Sequence, residues 1–459
     1  MHFQQLLAPA RERPVSCALV GVGEFGQSLL VQTRRMQGLR IISVLDKNPE
    51  ATANTLTAAG FDAVVTESAT AARTAVSAGR LAVCRTLDDL LATGVEMVVE
   101  ATGDPEHGAR HAEAAIAAGV GVAMVSKEAE CVVGPILAAK ARRAGVPYTL
   151  VEGDQPALLI TLVTWCRALG LPVVAAGKSS EYDYVFDPRT GRVSWTSMQV
   201  DAPALAELWE LGTDPGRVLA ARSVALADIP QRTVPDFCEM ALVANATGLV
   251  PDRADYHAPL ARTVELPHVY RPKAHGGVLE GVGRIDVFNC LRRPDEASFA
   301  GGVFVVVEWA DAKSGALFAG KGIPTTADGR YGLVYNPSHL LGVEAPMSVL
   351  AAARLANTSV DETYRPVVDL TAVATRDLPA GQRLDIVGNR HAIPDLEPRL
   401  TPAAPAIAGQ PLPYYMAVGR TLVRPVAAGS MLTVDAVAPP EASVLWRLRA
   451  EQDAAFAKR

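Results

Sequence analysis

Two lysines each follow a run of apolar and small residues: Lys127 after 120–126, and Lys178 after 172–177. A lysine at the carboxyl end of a parallel strand stands at the crevice where open α/β sheets bind ligands. A cation there polarises a carbonyl, stabilises a developing alkoxide or anchors an anion. It passes a proton only if burial or a second cation lowers its pKa. These two are the catalytic candidates. Asp154 and Gln155, between a strand pattern and a helix pattern, are candidate substrate contacts. So are Glu239 and Asn245 in the apolar helical stretch 236–246, His275 in the Gly-rich loop 271–279, and Lys321 in a Lys-Gly turn. Each also has a plainer reading. The lysines fit a solvated surface, Asp154 a helix cap, Glu239 and Asn245 satisfied core groups, and His275 an ordinary loop histidine. Asp154 and Glu239 would be the ligands if the chemistry required a divalent metal, but no compact His/Cys/Asp/Glu spacing supports one.

These side chains would act on whatever a second motif holds. An apolar run at 15–20 ends in Gly21-Val22-Gly23-Glu24-Phe25-Gly26, and a helical pattern follows. Gly21 permits a tight turn, Gly23 lets the backbone approach a pyrophosphate, and Gly26 lets helix and strand pack closely. The helix start, with Glu24 and Phe25, offers backbone N–H groups to phosphate. A second apolar run, 41–45, ends in Asp46, at the spacing where an acid bonds the adenosine ribose hydroxyls. Asp46 favours NAD; Lys47 would soften that choice by pairing with a 2′-phosphate, so NADP stays open. Ala101-Thr102-Gly103, small residues ending another strand pattern, would let the ribose or nicotinamide lie close.

The elements that must position these groups alternate strand and helix across the first third: strands at 15–20, 41–46, 62–65, 96–101, 120–126 and 146–151, with helices between them. That alternation specifies an α/β, doubly wound parallel sheet covered on both faces. The middle of the chain mixes helices with strands at 172–178 and 303–309, and Pro346 opens a helix over 346–357. Near the end, 372–385 and 422–435 share a rhythm of strand, basic residue, Ala-Gly turn, strand and acid, which predicts a small β-rich module with a pseudo-repeat. The expected division is 1–152, a dinucleotide-binding domain; 153–365, a catalytic and dimerisation domain whose helix 346–357 packs back on the first; and 366–459, the β-rich module with a closing helix.

Composition narrows the function. A net charge of −6 without a Lys/Arg stripe, and 5% aromatic residues, leave no footprint for nucleic acid. No apolar run is long enough to span a bilayer, and no secretory signal opens the chain, so a cytoplasmic enzyme is expected. The six cysteines are scattered, without a CxxC pair, and indicate neither a zinc site nor a disulfide framework.

GVGEFG, the strand-end ATG, the SKE segment at 126–128 and the Pro346 helix resemble the homoserine dehydrogenase superfamily. The segment VATRDLPAGQRLD resembles the hallmark of a C-terminal SAF-type module. VEGDQPA, AAGKSS, EMALVANATGLVPD, GGVL and the Lys321-Gly322 turn look like those of 1-deoxy-D-xylulose 5-phosphate reductoisomerase-like proteins within that branch. The resemblance implies a Rossmann domain, an α+β catalytic domain and a SAF module. It also implies a homodimer or homotetramer, and NAD(P)-dependent hydride transfer to or from a small polar carbonyl or hydroxyl substrate. Lys127 matches the family's strand-following lysine by position, and Lys178 is the candidate for the second. The family's acid-rich substrate segment is not recognisable, and SSEYDYVFDP departs from the reductoisomerase-like pattern. Deoxyxylulose-phosphate chemistry is therefore the alternative, and a dinucleotide-sensing or assembly protein the second alternative.

Overall fold

A computed structural model describes residues 2–388 and 391–457. The first layer is a seven-stranded sheet built from β1 (Val15–Val20), β2 (Leu39–Leu45), β3 (Ala63–Thr66), β4 (Leu81–Cys84), β5 (Met97–Glu100), β6 (Gly121–Met124) and β7 (Tyr148–Leu150). The spatial order is β3-β4-β2-β1-β5-β6-β7, and every ladder is parallel. β4 was not expected from the sequence: four buried residues between an Ala-rich helix and an acidic one carry almost no periodic signal. The order reverses at β1, whose neighbours are β2 and β5, so the crevice opens between the carboxyl ends of β1 and β5. Helix α1 (Glu24–Thr33) follows β1, α2 (Pro105–Ala117) follows β5, and α3 (Lys127–Ala144) follows β6. The Asp104 side chain caps α2 by accepting from His107 N–H at 2.7 Å, and Pro105 takes the first turn, where its missing N–H costs nothing. Helix α3 begins shortly after β6, so Lys127 stands at its first turn.

A second, mixed sheet forms the middle of the molecule. Its spine is β8 (Val173–Asp187), flanked by β9 (Arg284–Arg292) in parallel and by β10 (Val303–Glu308) antiparallel; β11 (Tyr331–Asn336) pairs with β10. The strand expected to stop at Lys178 continues for nine more residues, correcting that reading. Ser179 to Asp187 alternate mostly buried and less buried positions, the period-2 signature of a strand. Lys178 is therefore an interior strand residue. Helices α4 (Gln155–Ala168) and α5 (Val234–Thr247) pack against one another between the two sheets. Pro156 and Pro235 each lie in the first turn, and Gly248 ends α5 in the left-handed conformation (φ +72°).

The later elements fold back on the first sheet. Helix α6 (Ala345–Leu355) joins its core through Ala345, Val349, Leu350 and Ala352, beside Cys17, Leu19 and Leu29. Arg354 reaches Glu96 with both guanidinium nitrogens at 2.9 Å. The two similar C-terminal segments pair with each other: Leu378 and Val426 exchange both backbone hydrogen bonds, and Leu432 N–H donates to Ala372 O. Helix α7 (Val444–Phe456) closes the chain against α2 and α3. Apolar residues of this module, of α5 and of the first sheet form one continuous buried cluster. Among the described residues no helix is long and apolar enough to cross a membrane.

Glu130, fully buried on α3, ties this arrangement together. Its carboxyl accepts from the Tyr148 hydroxyl on β7 and from the Tyr364 hydroxyl, at 2.6 Å, in the segment leading to the C-terminal module. Burial pushes this carboxyl up to about 7, against the phenolic hydrogen bonds that lower it. From about pH 4.5 to 7 the folded protein keeps a proton that the unfolded chain has lost, so stability falls as pH rises through that window. Glu130→Gln keeps the shape without the charge and flattens the fall, with Glu128 supplying the remainder. Urea unfolding at pH 5 and pH 7.5 measures this; the same pH slope in the variant and the parent refutes it.

Candidate active site

The glycine motif lies at the crevice. Gly21 adopts φ +90°, and a Cβ there would lie 2.5 Å from Ala101 O, so a side chain is excluded twice over. A Cβ on Gly26 would lie 2.4 Å from Gly21 O. Gly23 differs: nothing stands within 4 Å of its Cβ position, which leaves the N-terminus of α1 open on the side a pyrophosphate needs. Asp46 Oδ2 accepts from Val22 N–H at 2.7 Å, which fixes the carboxylate across the loop and leaves Oδ1 for a ribose hydroxyl. A groove of about 760 Å³ runs past Gly21, Gly23, Asp46, Lys47, Arg85, Ala101 and Thr102. Thr102 donates to the buried Glu100 at 2.6 Å, and Gly103 N–H donates to Ser126 Oγ at 2.8 Å, which locks the β5 turn against β6. The groove, the bare Gly23 and the fixed acid fit a dinucleotide. Phe25 lines the adjoining cavity; Glu24 is exposed and lines neither space.

That cavity, of about 440 Å³, meets the groove at Ala101 and holds the charged groups. Lys127, from the first turn of α3, pairs with Glu239 Oε1, and its Nζ lies 3.7 Å from Asp154 Oδ2. Lys178, from the interior of β8, pairs with Glu239 Oε2 and with Asp236 Oδ1 at 2.8 Å. Ser180 donates to Asp236 Oδ2 at 2.7 Å. Asp236 and Glu239 share one face of α5 because three residues make most of a helical turn. Glu239 is 3% exposed and Lys178 1%, so neither charge has water to fall back on. Burial penalises the Glu239 anion, but the two ammonium groups outweigh it and hold its carboxyl down to about 2. Burial likewise opposes the charge on both lysines, and the carboxylates beside them win: Lys127 and Lys178 are held above the ordinary lysine range. The charged form of both is therefore favoured, which suits them to hold negative charge and not to accept a proton.

Not every candidate reaches the cavity. Lys127, Asp154, Gln155 and Glu239 line it; Lys178 stands behind Glu239. Asp154 also accepts from Gln155 N–H at the start of α4, and the Gln155 amide donates to Ser179 O and Gly302 O, each at 3.0 Å. Asn245, His275 and Lys321 must be corrected. The Asn245 carboxamide oxygen accepts from Val367 and Val368 N–H, holding the chain as it enters the C-terminal module. His275 is exposed and bonds the Tyr331 hydroxyl at 2.6 Å, away from the cavity lining. Lys321 is exposed in its turn and lines no part of the cavity. Sequence reasoning missed Asp236, Glu128, Glu181, His339 and His391. The i, i+3 spacing of Asp236 and Glu239 was a usable signal for the first. Glu128 adjoins Lys127 in the SKE segment, which was a usable signal for it; Glu181, His339 and His391 arrive from separate elements, and nothing local marks them. Asp154 and Glu239, the carboxylates named for a metal, are both engaged by Lys127. Among the described residues no three His, Cys, Asp or Glu side chains converge to hold an ion.

Two family models match parts of the chain. Residues 21–150 match the family model of the homoserine dehydrogenase NAD-binding domain, and residues 233–345 match that of the catalytic domain of oxidoreductase DRL. The first span contains the groove and Lys127; the second contains Asp236, Glu239 and His339. No curated protein matches the chain. Solved structures matched include DOX-P reductoisomerase with magnesium, at 16% identity, 37% of this chain, 46% of that chain and TM-score 0.28. WlbA dehydrogenase from Bordetella pertussis, with NADH and UDP-GlcNAcA, matches at 17% identity, 39% and 50% coverage and TM-score 0.28. GenD2 from gentamicin A biosynthesis, with NAD, matches at 22% identity, 39% and 47% coverage and TM-score 0.25. The chain spans about half the length of these structures. One polypeptide carries both matches, the first over the dinucleotide groove and the second over the acids of α5.

Proposed function

We propose that the chain is an NAD(P)-dependent oxidoreductase that moves a hydride to or from a small polar carbonyl or hydroxyl compound. The observation that carries this is Lys127, a fixed cation in the cavity that adjoins the dinucleotide groove. The dinucleotide, when bound, supplies the hydride chemistry at its nicotinamide. The chain supplies placement and charge: Lys127 stabilises the oxygen that becomes an alkoxide, and Glu239 keeps Lys127 aimed and charged. Lys178 and Asp236 fix Glu239 from behind and do not touch substrate. Asp46 supports NAD over NADP; Lys47 and Arg85, on the same groove, leave a weaker route to NADP. The cavity sets one lysine against four acids: Glu128, Asp154, Glu181 and Glu239. That balance supports a substrate that is neutral or carries an amine, and weighs against a phosphate ester such as deoxyxylulose phosphate. All six cysteines are free and buried, which supports the reducing cytoplasm. Trp165 and Leu169, exposed on the surface near and at the end of α4, support a homo-oligomer.

Three outcomes test this reading. Absorbance assays with NADH and NADPH against hydroxy- and keto-acids, amino alcohols, polyols and sugar phosphates should show turnover with a non-phosphorylated compound. No turnover with any of them refutes it. Lys127→Met should bind NADH as the parent does in fluorescence titration and lose about 10²–10⁴-fold in kcat; unchanged kcat refutes the role of Lys127. NADH should bind more tightly than NADPH, and the reverse order overturns the part given to Asp46.

A further inference from the structure

The carboxylates beside both lysines favour their charged forms, so neither is a base that would accept a proton from a substrate hydroxyl. The cavity holds two histidines. His339 donates Nδ1–H to Gly301 O at 2.8 Å, which leaves its own Nε2 lone pair free, so His339→Asn is the control variant for the role of His391 and should keep the parent's pH profile. His391 comes from the C-terminal module, far along the chain from every other lining residue. Its Nδ1 lies 3.1 Å from Glu128 Oε1, and Glu128, one residue after Lys127, is buried, with 3% of its side chain exposed. The imidazole keeps 35% exposure. Its Cε1 lies 3.2 Å from the Cβ position of Gly103, at the end of β5, so the ring fills the space that this glycine leaves.

Three further features show that the position is held. His391 adopts φ +51°, a left-handed conformation that residues with a side chain rarely take. Such strain persists where surrounding contacts impose it, and it clusters at functional sites. Val387 N–H donates to Ala392 O at 3.1 Å, and Ile393 N–H donates to the buried Tyr414 hydroxyl at 2.7 Å, so His391 sits in an anchored turn. Once Glu128 is ionised, above about pH 7, its carboxylate 3.1 Å from Nδ1 favours the ring proton there and leaves the lone pair on Nε2.

We propose that His391, held by Glu128, is the catalytic residue that exchanges the proton with the substrate oxygen, so that the C-terminal module completes the active site. This rests on the oxidoreductase reading above. In the oxidising direction the substrate O–H bond breaks, the proton passes to the Nε2 lone pair, and the O–H electron pair forms the second C–O bond. The hydride leaves the same carbon with both C–H electrons for the oxidised dinucleotide. In the reducing direction the imidazolium returns the proton to the oxygen as the hydride arrives at carbon. The charged groups that face the ring are Lys127, Glu128, Glu181 and Glu239. Burial and the Lys127 cation hold the imidazole below the ordinary histidine range, so at neutral pH it is the uncharged form with a lone pair to accept a proton; Glu181 and Glu239 oppose them. Glu128 is pushed up to about 7, chiefly by burial.

The test uses the full chain, NADH, and the panel compound with the highest kcat/KM. His391→Asn keeps a residue that tolerates the left-handed backbone, and His391→Gly removes any conformational demand. Both should melt with the parent and bind NADH within about twofold, yet lose about 10²–10⁴-fold in kcat together with the near-neutral limb of the kcat/KM pH profile. Nitrogen-15 NMR of the His391 imidazole should show the Nδ1–H tautomer in the parent and a mixture in Glu128→Gln. Parent-like kcat and pH profile in His391→Asn, or an Nε2–H tautomer in the parent, overturns the proposal. So does a loss of NADH affinity that matches the loss of kcat, which would place His391 on the cofactor. A parent inactive across the whole panel overturns the oxidoreductase reading itself.

Discussion

One carboxylate holds the working parts of this molecule in place. Glu239 binds Lys127 of the dinucleotide-binding layer with one oxygen and Lys178 of the second sheet with the other. Glu239 and Lys178 are buried, while 19% of the Lys127 side chain is exposed to the cavity; removing one partner of a buried pair costs on the order of 3–5 kcal/mol. The two layers, which meet through α3, α5 and β8, therefore pack in the one geometry that satisfies both lysines. The same constraint bears on the proposed chemistry. Carboxylates beside the lysines favour their charged forms, so in the proposed reaction Lys127 would stabilise negative charge and another group would accept the proton.

The dinucleotide groove was legible in the sequence because each of its requirements is local. A glycine that must take φ +90°, a glycine that cannot carry a Cβ and an acid at fixed spacing all leave marks in a short stretch. The parallel sheet was legible for a similar reason, apart from β4, whose four residues sit between two helical segments without a glycine or proline boundary after them. Lys127 and Glu239 were found by their positions at element boundaries and in an apolar helix. Lys178 was found for the wrong reason. It lies inside a strand whose polar half resembles a loop until its alternation is matched to burial.

What could not be read was convergence from distant elements. His391, Glu181 and His339 reach the cavity from the C-terminal module, the second sheet and the segment after β11. Asn245 shows the opposite case. A polar residue in an apolar helix suggests a ligand contact, but its carboxamide is used up on two backbone N–H groups that steer the chain into the next module. The C-terminal module, which looked like an appendage, shares its core with α5 and the first sheet and brings a histidine to the cavity.

The central claim is that the reacting end of the dinucleotide lies beside Lys127. A crystal structure of the full chain with NAD⁺ tests it most directly. The account predicts the adenosine ribose on Asp46, the pyrophosphate over Gly23 at the start of α1, and the nicotinamide past Gly103 in the cavity with Lys127 and His391. A dinucleotide that leaves Gly23 bare, or turns its nicotinamide away from Lys127, would contradict it.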